Sequence, residues 1–132
     1  MACPPLMQYA IDHAAGIVRL TMQGDVDGAL YVTTLRTLLD SDDRLHGYDF
    51  LYDLREYSGS VGHDDVRVLA DRYAPLLAAL PRVSQAVLVS PDQGFRFWIT
   101  LLNQQFSNRE FHLAPSMAAG EALLAELRAR RG

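Results

Sequence analysis

The chain has 132 residues, of which 49% are hydrophobic and 21% are charged, and its formal net charge is −4 at pH 7. This length and composition predict a single globular domain over residues 1–132, and the negative charge excludes the basic surface typical of nucleic-acid binding. None of the 12 basic residues is a lysine, which excludes Schiff-base chemistry and a phosphate-binding loop that depends on a lysine.

The N-terminal segment has neither the basic region nor the apolar region of a signal peptide. The single cysteine, Cys3, cannot form an internal disulfide, which is typical of a reducing compartment. No run in the sequence approaches the roughly 18 apolar residues of a membrane-spanning helix. We therefore expect a cytoplasmic protein without a membrane span.

Two alternating apolar segments come first and predict β-strands over residues 6–11 and 17–22. The loop between them ends in Gly16, which favours a hairpin. Gly24 and Asp27 then supply a turn and an N-cap for the first helix. The chain is therefore expected to begin with an antiparallel pair of strands.

Helices and strands alternate over the rest of the chain. Pro75 is expected to kink the second helix near Arg72. Apolar positions at helical spacing predict helices over residues 28–39 and 64–80, a third that opens at Ser90-Pro91-Asp92, and a fourth over residues 115–131. Short apolar runs predict strands over residues 50–52, 85–90 and 110–113. The order ββαβαβαβα is typical of an α/β domain with a five-stranded, mostly parallel sheet and four helices.

The third predicted strand ends in polar residues that form a candidate binding or switch surface. Asp53 and Arg55 are alternate residues, so they predict either a polar-ligand site or an ion pair that anchors the loop. A phosphoacceptor role for Asp53 is disfavoured. Receiver chemistry needs an acidic pair after the first strand and a lysine after the last, whereas this chain begins with a hairpin and has no lysine. The further members of the surface are Tyr57, Ser58, His63 and Asp64.

A metal site at His63, Asp64 and Asp65 is also disfavoured. Adjacent residues at the start of a helix do not face one way, and the sequence has no second cluster with ligand spacing. These residues instead predict a solvated first turn that the helix dipole favours.

The element order, the Gly24-Asp25 turn and the strand end Leu51-Tyr-Asp-Leu-Arg55 resemble the SpoIIAA-like superfamily. That group includes the STAS anti-sigma-factor antagonists and the SEC14-like lipid binders. The Leu-rich segment 114–127 is similar to the closing strand and helix of the family. The resemblance covers nearly the whole chain, and it implies a SpoIIAA-like fold with a regulatory, partner-binding or lipid-binding role.

The resemblance also implies a phosphorylation switch, from which this sequence departs. In STAS antagonists the phosphorylated serine belongs to an Asp-Ser-Ser-Gly motif at the start of the helix after the third strand. The corresponding residues here are 62–65, Gly-His-Asp-Asp, and they carry no hydroxyl group. Ser58 and Ser60 lie nearby, where they are either turn-forming or capping residues or alternative targets. The resemblance therefore favours a less characterised branch of the superfamily.

The predicted third helix has apolar residues on two sides. Phe97 and Leu101 lie opposite its core side, where they predict a self-association surface, the wall of a ligand groove, or simple exposure. The core side comprises Phe95, Trp98, Ile99, Leu102 and Phe106. The aromatic residues suited to line a pocket near the third strand are Tyr48, Tyr52 and Tyr57.

Together these patterns predict a non-enzymatic regulatory or protein-interaction domain, bacterial and homodimeric, that uses no cofactor or metal. The alternative is a domain that binds a small apolar, lipid-like ligand. Such a binder needs an enclosed apolar cavity of several hundred cubic ångströms between helices and sheet. An interaction module needs a packed core and an exposed apolar patch near the second and third helices. An enzyme is disfavoured, because the histidines are scattered and no set of titratable groups is predicted to converge.

Overall fold

A computed structural model describes residues 4–131, and Cys3 lies outside them. The elements follow the predicted order, with one 3-10 helix added before the third strand. They are β1 (Leu6–Asp12), β2 (Ile17–Gln23), α1 (Gly28–Ser41), the 3-10 helix (Asp43–Gly47), β3 (Asp49–Asp53), α2 (His63–Ala78), β4 (Ser84–Val89), α3 (Phe95–Gln105), β5 (Arg109–Ala114) and α4 (Met117–Arg131). Within the described residues, no helix combines the length and the apolarity needed to cross a membrane.

The five strands form one sheet in the order β1-β2-β3-β4-β5. β1 and β2 pair antiparallel, and every other neighbouring pair is parallel. The prediction of an α/β fold with a mostly parallel, five-stranded sheet is therefore confirmed. Each crossover from β2 onward advances by one strand in the same direction, so right-handed crossovers place α1, α2 and α3 on one face. α4 covers the other face.

Strand alternation divides the side chains between these two faces. Phe50 of β3 and Phe111 of β5 point towards α1, α2 and α3, on what we call the three-helix face. Leu51 of β3 and Ala114 of β5 point towards α4, on the α4 face. β4 is buried along its whole length because helices cover both of its sides.

The α4 face is closely packed because a glycine of α4 lies against the sheet. A Cβ atom at Gly120 would lie 2.6 Å from Cγ2 of Val89 and 3.5 Å from Cδ1 of Leu51. The first of these distances is too short for a carbon–carbon contact, so a larger residue would push α4 away from β4. The remaining apolar core residues of this face include Ile17, Val87 and Leu124.

The C-terminal arginines of α4 bind a buried carboxylate. Asp49, at the start of β3, is fully buried. Its oxygens accept hydrogen bonds from Arg128 and from both Nη atoms of Arg131, the latter at 2.8 Å and 2.7 Å. The backbone N–H of Gln85 donates to the same carboxylate at 2.8 Å. These contacts tie the end of α4 to the starts of β3 and β4.

α3 begins at Phe95, later than predicted. The hydroxyl of Ser90 accepts the N–H of Asp92 at 3.1 Å, and Oδ1 of Asp92 accepts the N–H of Gly94 at 2.8 Å. These side-chain hydrogen bonds hold residues 90–94 as a loop instead of a first helical turn. The predicted opening at Ser90-Pro91-Asp92 is therefore wrong, although the helix itself is present.

α2 continues through Pro75 to Ala78. The proline ring removes one backbone hydrogen bond but does not end the helix. Its apolar side remains buried against the sheet and comprises Val66, Leu69, Ala70, Tyr73 and Leu77.

Candidate functional site

A cavity of about 110 Å³, partly open to solvent, lies between the three-helix face and its helices. Its lining is mostly apolar and includes Leu35, Phe50, Leu69, Leu88, Trp98 and Phe111. Apolar cavities of about 150 Å³ admit a molecule of the size of benzene. The space is smaller and more open than the enclosed cavity of several hundred cubic ångströms expected for a ligand binder, although it lies between helices and sheet as expected.

One cation lies in the wall of this apolar cavity. Arg109, the first residue of β5, is only 6% exposed, and its guanidinium carbon lies 4.5 Å from the centre of the Phe50 ring. Its Nε donates to the hydroxyl of Ser84 at 3.1 Å. Its Nη2 donates to the backbone carbonyls of His46 at 3.0 Å and Tyr48 at 3.4 Å. All of these partners are neutral.

Arg109 forms no ion pair within the part of the chain that the structure describes. Burial lowers the pKa of this guanidinium, and the neighbouring groups Tyr52 and Asp49 act in the opposite direction. Removing a charged group from water is costly unless an opposite charge accompanies it. The cavity wall therefore carries a positive charge that the described residues do not neutralise by direct contact.

Two phenol groups, those of Tyr31 in α1 and Tyr52 in β3, line the same cavity. Burial raises the pKa of both tyrosines, so both are protonated at neutral pH. The charge of Arg109 opposes this rise for Tyr52, and the guanidinium and the Tyr52 ring both lie against the ring of Phe50. Among the described residues every fully buried side-chain nitrogen or oxygen has a partner. The Tyr31 hydroxyl has no partner among them, so it is at least partly exposed.

The other polar side chains of the wall have partners within the protein. The hydroxyl of Tyr57 accepts the N–H of Val61 at 3.0 Å. The hydroxyl of Tyr73 donates to Asp40 at 2.7 Å, and Nε2 of His46 lies 2.9 Å from a backbone carbonyl. The arginine and the two tyrosines described above are thus the groups with capacity to bind a ligand.

Asp53 and Arg55 form a local ion pair. Nε and Nη2 of Arg55 each lie 2.9 Å from a carboxylate oxygen of Asp53, which also accepts the backbone N–H of Arg55 at 3.2 Å. These hydrogen bonds lower the pKa of Asp53. The geometry corresponds to the loop-anchor interpretation, because each charge is satisfied by the other.

The loop after β3 is held by the segment that follows β2. The N–H of Gly24 donates to the carbonyl of Glu56 at 2.8 Å, and the N–H of Ser58 donates to the carbonyl of Gly24 at 3.0 Å. A Cβ atom at Gly59 would lie 1.9 Å from the carbonyl oxygen of Val26, so the close approach requires a glycine. Ser58 is exposed on this loop, away from the helix start.

His63 and Asp64 are exposed in the first turn of α2. The next residue, Asp65, caps the helix by accepting the N–H of Gly62 at 2.8 Å. No cluster of three or more metal-binding side chains occurs among the described residues. Of the predicted binding surface, Tyr57 alone reaches the cavity wall, and the other members lie outside it.

The outer side of α3 presents an exposed aromatic residue. Phe97 is 71% exposed and lies edge-on to Trp98, with the ring centres 6.1 Å apart. Leu101, one turn later, is half-buried. The inner side of the helix packs against the core of the three-helix face, so the observed division of α3 matches the predicted one.

Sequence reasoning did not select Arg109 or Tyr31 as site residues. The available signal for Arg109 was the alternation of β5, in which it shares a face with Phe111 and Leu113 and interrupts an otherwise apolar row. Tyr31 lies on the apolar side of α1 together with Leu35, where a ligand-binding tyrosine and a core tyrosine give the same pattern.

No model of a known protein family matches this chain, and no curated protein is significantly similar to it. Together, the fold and the site define an α/β domain with an apolar cavity and one buried arginine in the cavity wall. These two features carry the functional argument.

Proposed function

We propose that this domain binds a small apolar ligand in the cavity between the sheet and helices α1, α2 and α3. The observation that carries the proposal is the volume of about 110 Å³ inside the larger of the two cores. A ligand that fills the space removes its own apolar surface and that of the wall from water, which stabilises the complex at roughly 25 cal/mol per Å².

The sequence resemblance supports the same proposal. We propose that the fold is SpoIIAA-like, on the basis of the element order, the Gly24-Asp25 turn and the end of β3. The resemblance to a superfamily that includes lipid binders favours an apolar ligand. The predicted regulatory role is compatible with it, because ligand binding and partner binding use different surfaces of the domain.

Thermal denaturation in the presence of a neutral apolar probe, 1-hexanol or benzene, tests the proposal. A ligand that binds only the folded state raises the melting temperature, and a gain of 1–2 kcal/mol corresponds to several degrees in a domain of this size. Leu88→Phe should remove this shift, because residue 88 lines the cavity and the larger ring occupies the space.

The adjacent strand position supplies a matched control. Val87 is fully buried on the opposite face of the same strand, so Val87→Leu adds volume where there is no cavity. We expect this variant to lose about 1–3 kcal/mol of stability through overpacking while it retains the probe-induced shift. Equal shifts in the wild type and in Leu88→Phe would contradict binding in this cavity.

A second candidate function is the regulatory or protein-interaction domain, with a homodimer formed through α3. The exposure of Phe97, at 71%, favours it, because large apolar side chains on a surface often mark an interface. Phe97→Asp should convert a dimer to a monomer in light scattering, whereas Gln104→Asp, at an exposed polar position of the same helix, should not. A monomeric wild type, or a dimer unchanged by Phe97→Asp, argues against this interface.

A further inference from the structure

We propose that the ligand of this cavity is a small amphipathic monocarboxylic acid. Its carboxylate binds the Arg109 guanidinium and the Tyr52 hydroxyl, and its apolar body fills the remaining space. The inference rests on the proposed function, because it assigns the headgroup of a ligand in the same cavity. Three observations support the inference: the charge of Arg109, the free hydrogen-bond donors beside that charge, and the size and lining of the cavity.

The charge of Arg109 is complementary to an anion. Its hydrogen-bond partners are the hydroxyl of Ser84 and two backbone carbonyls, none of which carries a charge. Asp49, a buried charge on the opposite face, is by contrast neutralised by Arg128 and Arg131. A buried guanidinium is far more favourable with an anionic partner than without one. A carboxylate that enters the cavity supplies the partner that the described part of the chain does not.

Hydrogen-bond donors remain available beside this charge. A guanidinium has five N–H groups, and the bonds to Ser84 and the carbonyls use those of Nε and Nη2. Nη1 has no carbonyl or carboxylate acceptor in the described part of the chain. Tyr52 lines the same cavity, and its ring stacks on the Phe50 ring that the guanidinium also contacts. Its O–H group points away from the cation, so it can donate. One N–H group and one O–H group match the two oxygens of a carboxylate.

The guanidinium is held in position by the protein. Its hydrogen bonds to Ser84 and to the carbonyls of His46 and Tyr48 orient it, and it lies against the Phe50 ring at 4.5 Å. A binding group that is already oriented loses little conformational freedom when the ligand arrives. The guanidinium is therefore oriented in advance to bind a planar anion.

The cavity limits the rest of the ligand. The enclosed space of about 110 Å³ accommodates roughly four or five non-hydrogen atoms, since a cavity of about 150 Å³ admits the six of benzene. The cavity is partly open to solvent, so the rest of a longer ligand lies in its mouth. Tyr31, which lines the same cavity, offers one additional hydroxyl. A short-chain or aromatic monocarboxylate fits these limits. A phosphate dianion is disfavoured, because the wall supplies a single cation.

Isothermal titration calorimetry with hexanoate and with 1-hexanol separates the charge of the headgroup from the apolar chain. We expect wild-type protein to bind hexanoate at least about tenfold more tightly than 1-hexanol, because a hydrogen bond to a charged group is worth more than a neutral one. Tyr52→Phe should reduce this preference by about five- to tenfold and leave the affinity for 1-hexanol unchanged. Tyr73→Phe is the matched control, because Tyr73 lines the cavity but its hydroxyl donates to Asp40.

Arg109→Met should abolish hexanoate binding and preserve or strengthen 1-hexanol binding, with folding checked by circular dichroism. If this variant does not fold, Tyr52→Phe decides the question. Equal wild-type affinities for the two probes, or an unchanged preference in Tyr52→Phe, overturn the carboxylate assignment and leave the cavity as an apolar site. Binding of neither probe, together with no thermal shift by benzene, overturns the proposed function itself.

Discussion

The two faces of the sheet neutralise buried charge in different ways. On the α4 face, Asp49 accepts hydrogen bonds from Arg128, from Arg131 and from the backbone of Gln85. On the three-helix face, Arg109 is almost as buried, but a hydroxyl and two carbonyls are its partners. The first arrangement is complete within the chain, whereas the second has capacity for an anion.

The two faces of the sheet also differ in how closely their side chains are packed. Gly120 brings α4 into close contact with Val89 and Leu51, while the three-helix face leaves a cavity of about 110 Å³. Protein interiors are normally close-packed, so this contrast is the basis for the proposal that one face serves stability and the other binds a ligand. Substitutions on the α4 face should therefore change stability, and substitutions in the cavity wall should change binding.

Asp49→Asn should have the largest effect on stability. It removes the charge that two arginines bind and leaves their guanidinium groups partly buried without a partner. Breaking a buried ion pair in this way costs about 3–5 kcal/mol, and we expect the lower end because Arg128 retains 26% exposure. Urea denaturation measures the change. Asp71→Asn, at an exposed position of α2, is the control and should stay within about 0.5 kcal/mol.

The pKa of the Asp49 carboxyl also predicts how the stability of the domain depends on pH. Burial would raise the pKa of this carboxyl, but the hydrogen bonds and charges of Arg131, Gln85 and Arg128 outweigh burial and lower it. The stabilisation is therefore fully present above the unfolded-state pKa of about 3.9 and is lost as the pH falls through the lower folded-state value. Between about pH 5 and about pH 2.5, the unfolding free energy should fall less in Asp49→Asn than in the wild type. Equal losses in both proteins would argue against this role.

Gly120→Ala should cost about 1–3 kcal/mol, because the added methyl group overpacks the α4 face against Val89. This loss outweighs the gain of roughly 1 kcal/mol that alanine normally brings to a helix. Thermal or urea denaturation measures the difference. At Gly47 a Cβ atom would meet only Leu80, at 3.8 Å, so Gly47→Ala should have little effect. A neutral Gly120→Ala would show that α4 is packed more loosely than the distances indicate.

Tyr52→Phe should have the smallest effect on stability, within about 0.5 kcal/mol. Its ring remains stacked on Phe50, with the centres 5.8 Å apart, so the substitution removes only the hydroxyl and its interaction with Arg109. The same denaturation experiment measures this change. Because Tyr52→Phe is expected to impair hexanoate binding, unchanged stability would show that this residue of the cavity wall serves binding and not stability. A loss above about 1 kcal/mol would assign Tyr52 a structural role.

Local patterns predicted most of the elements but not all of their ends. Alternation and helical spacing depend on neighbouring residues, so they located the strands and helices in their correct order. The start of α3 was predicted wrongly because Ser90 and Asp92 use their side chains to hold a loop. Such bonds compete with helical hydrogen bonds, and the residue types alone do not show which of the two prevails.

The residues of the candidate site were likewise predicted only in part. The pairing of Asp53 with Arg55 was among the predicted alternatives because the partners are two residues apart and share a face. Arg109 was not selected, because its partners Ser84, His46 and Tyr48 come from other segments of the chain. Whether a buried arginine is neutralised depends on those distant segments.

The sequence by itself determined the class of fold, the inner and outer sides of α3, and the absence of lysine chemistry. Each of these follows from composition or from a pattern that neighbouring residues define. Only the tertiary structure decided which buried charge is paired and where space remains between the layers. Asp49 and Arg131 are 82 positions apart, and a cavity is the small difference between the volume that the backbone encloses and the volume that side chains fill. No local pattern reports either quantity.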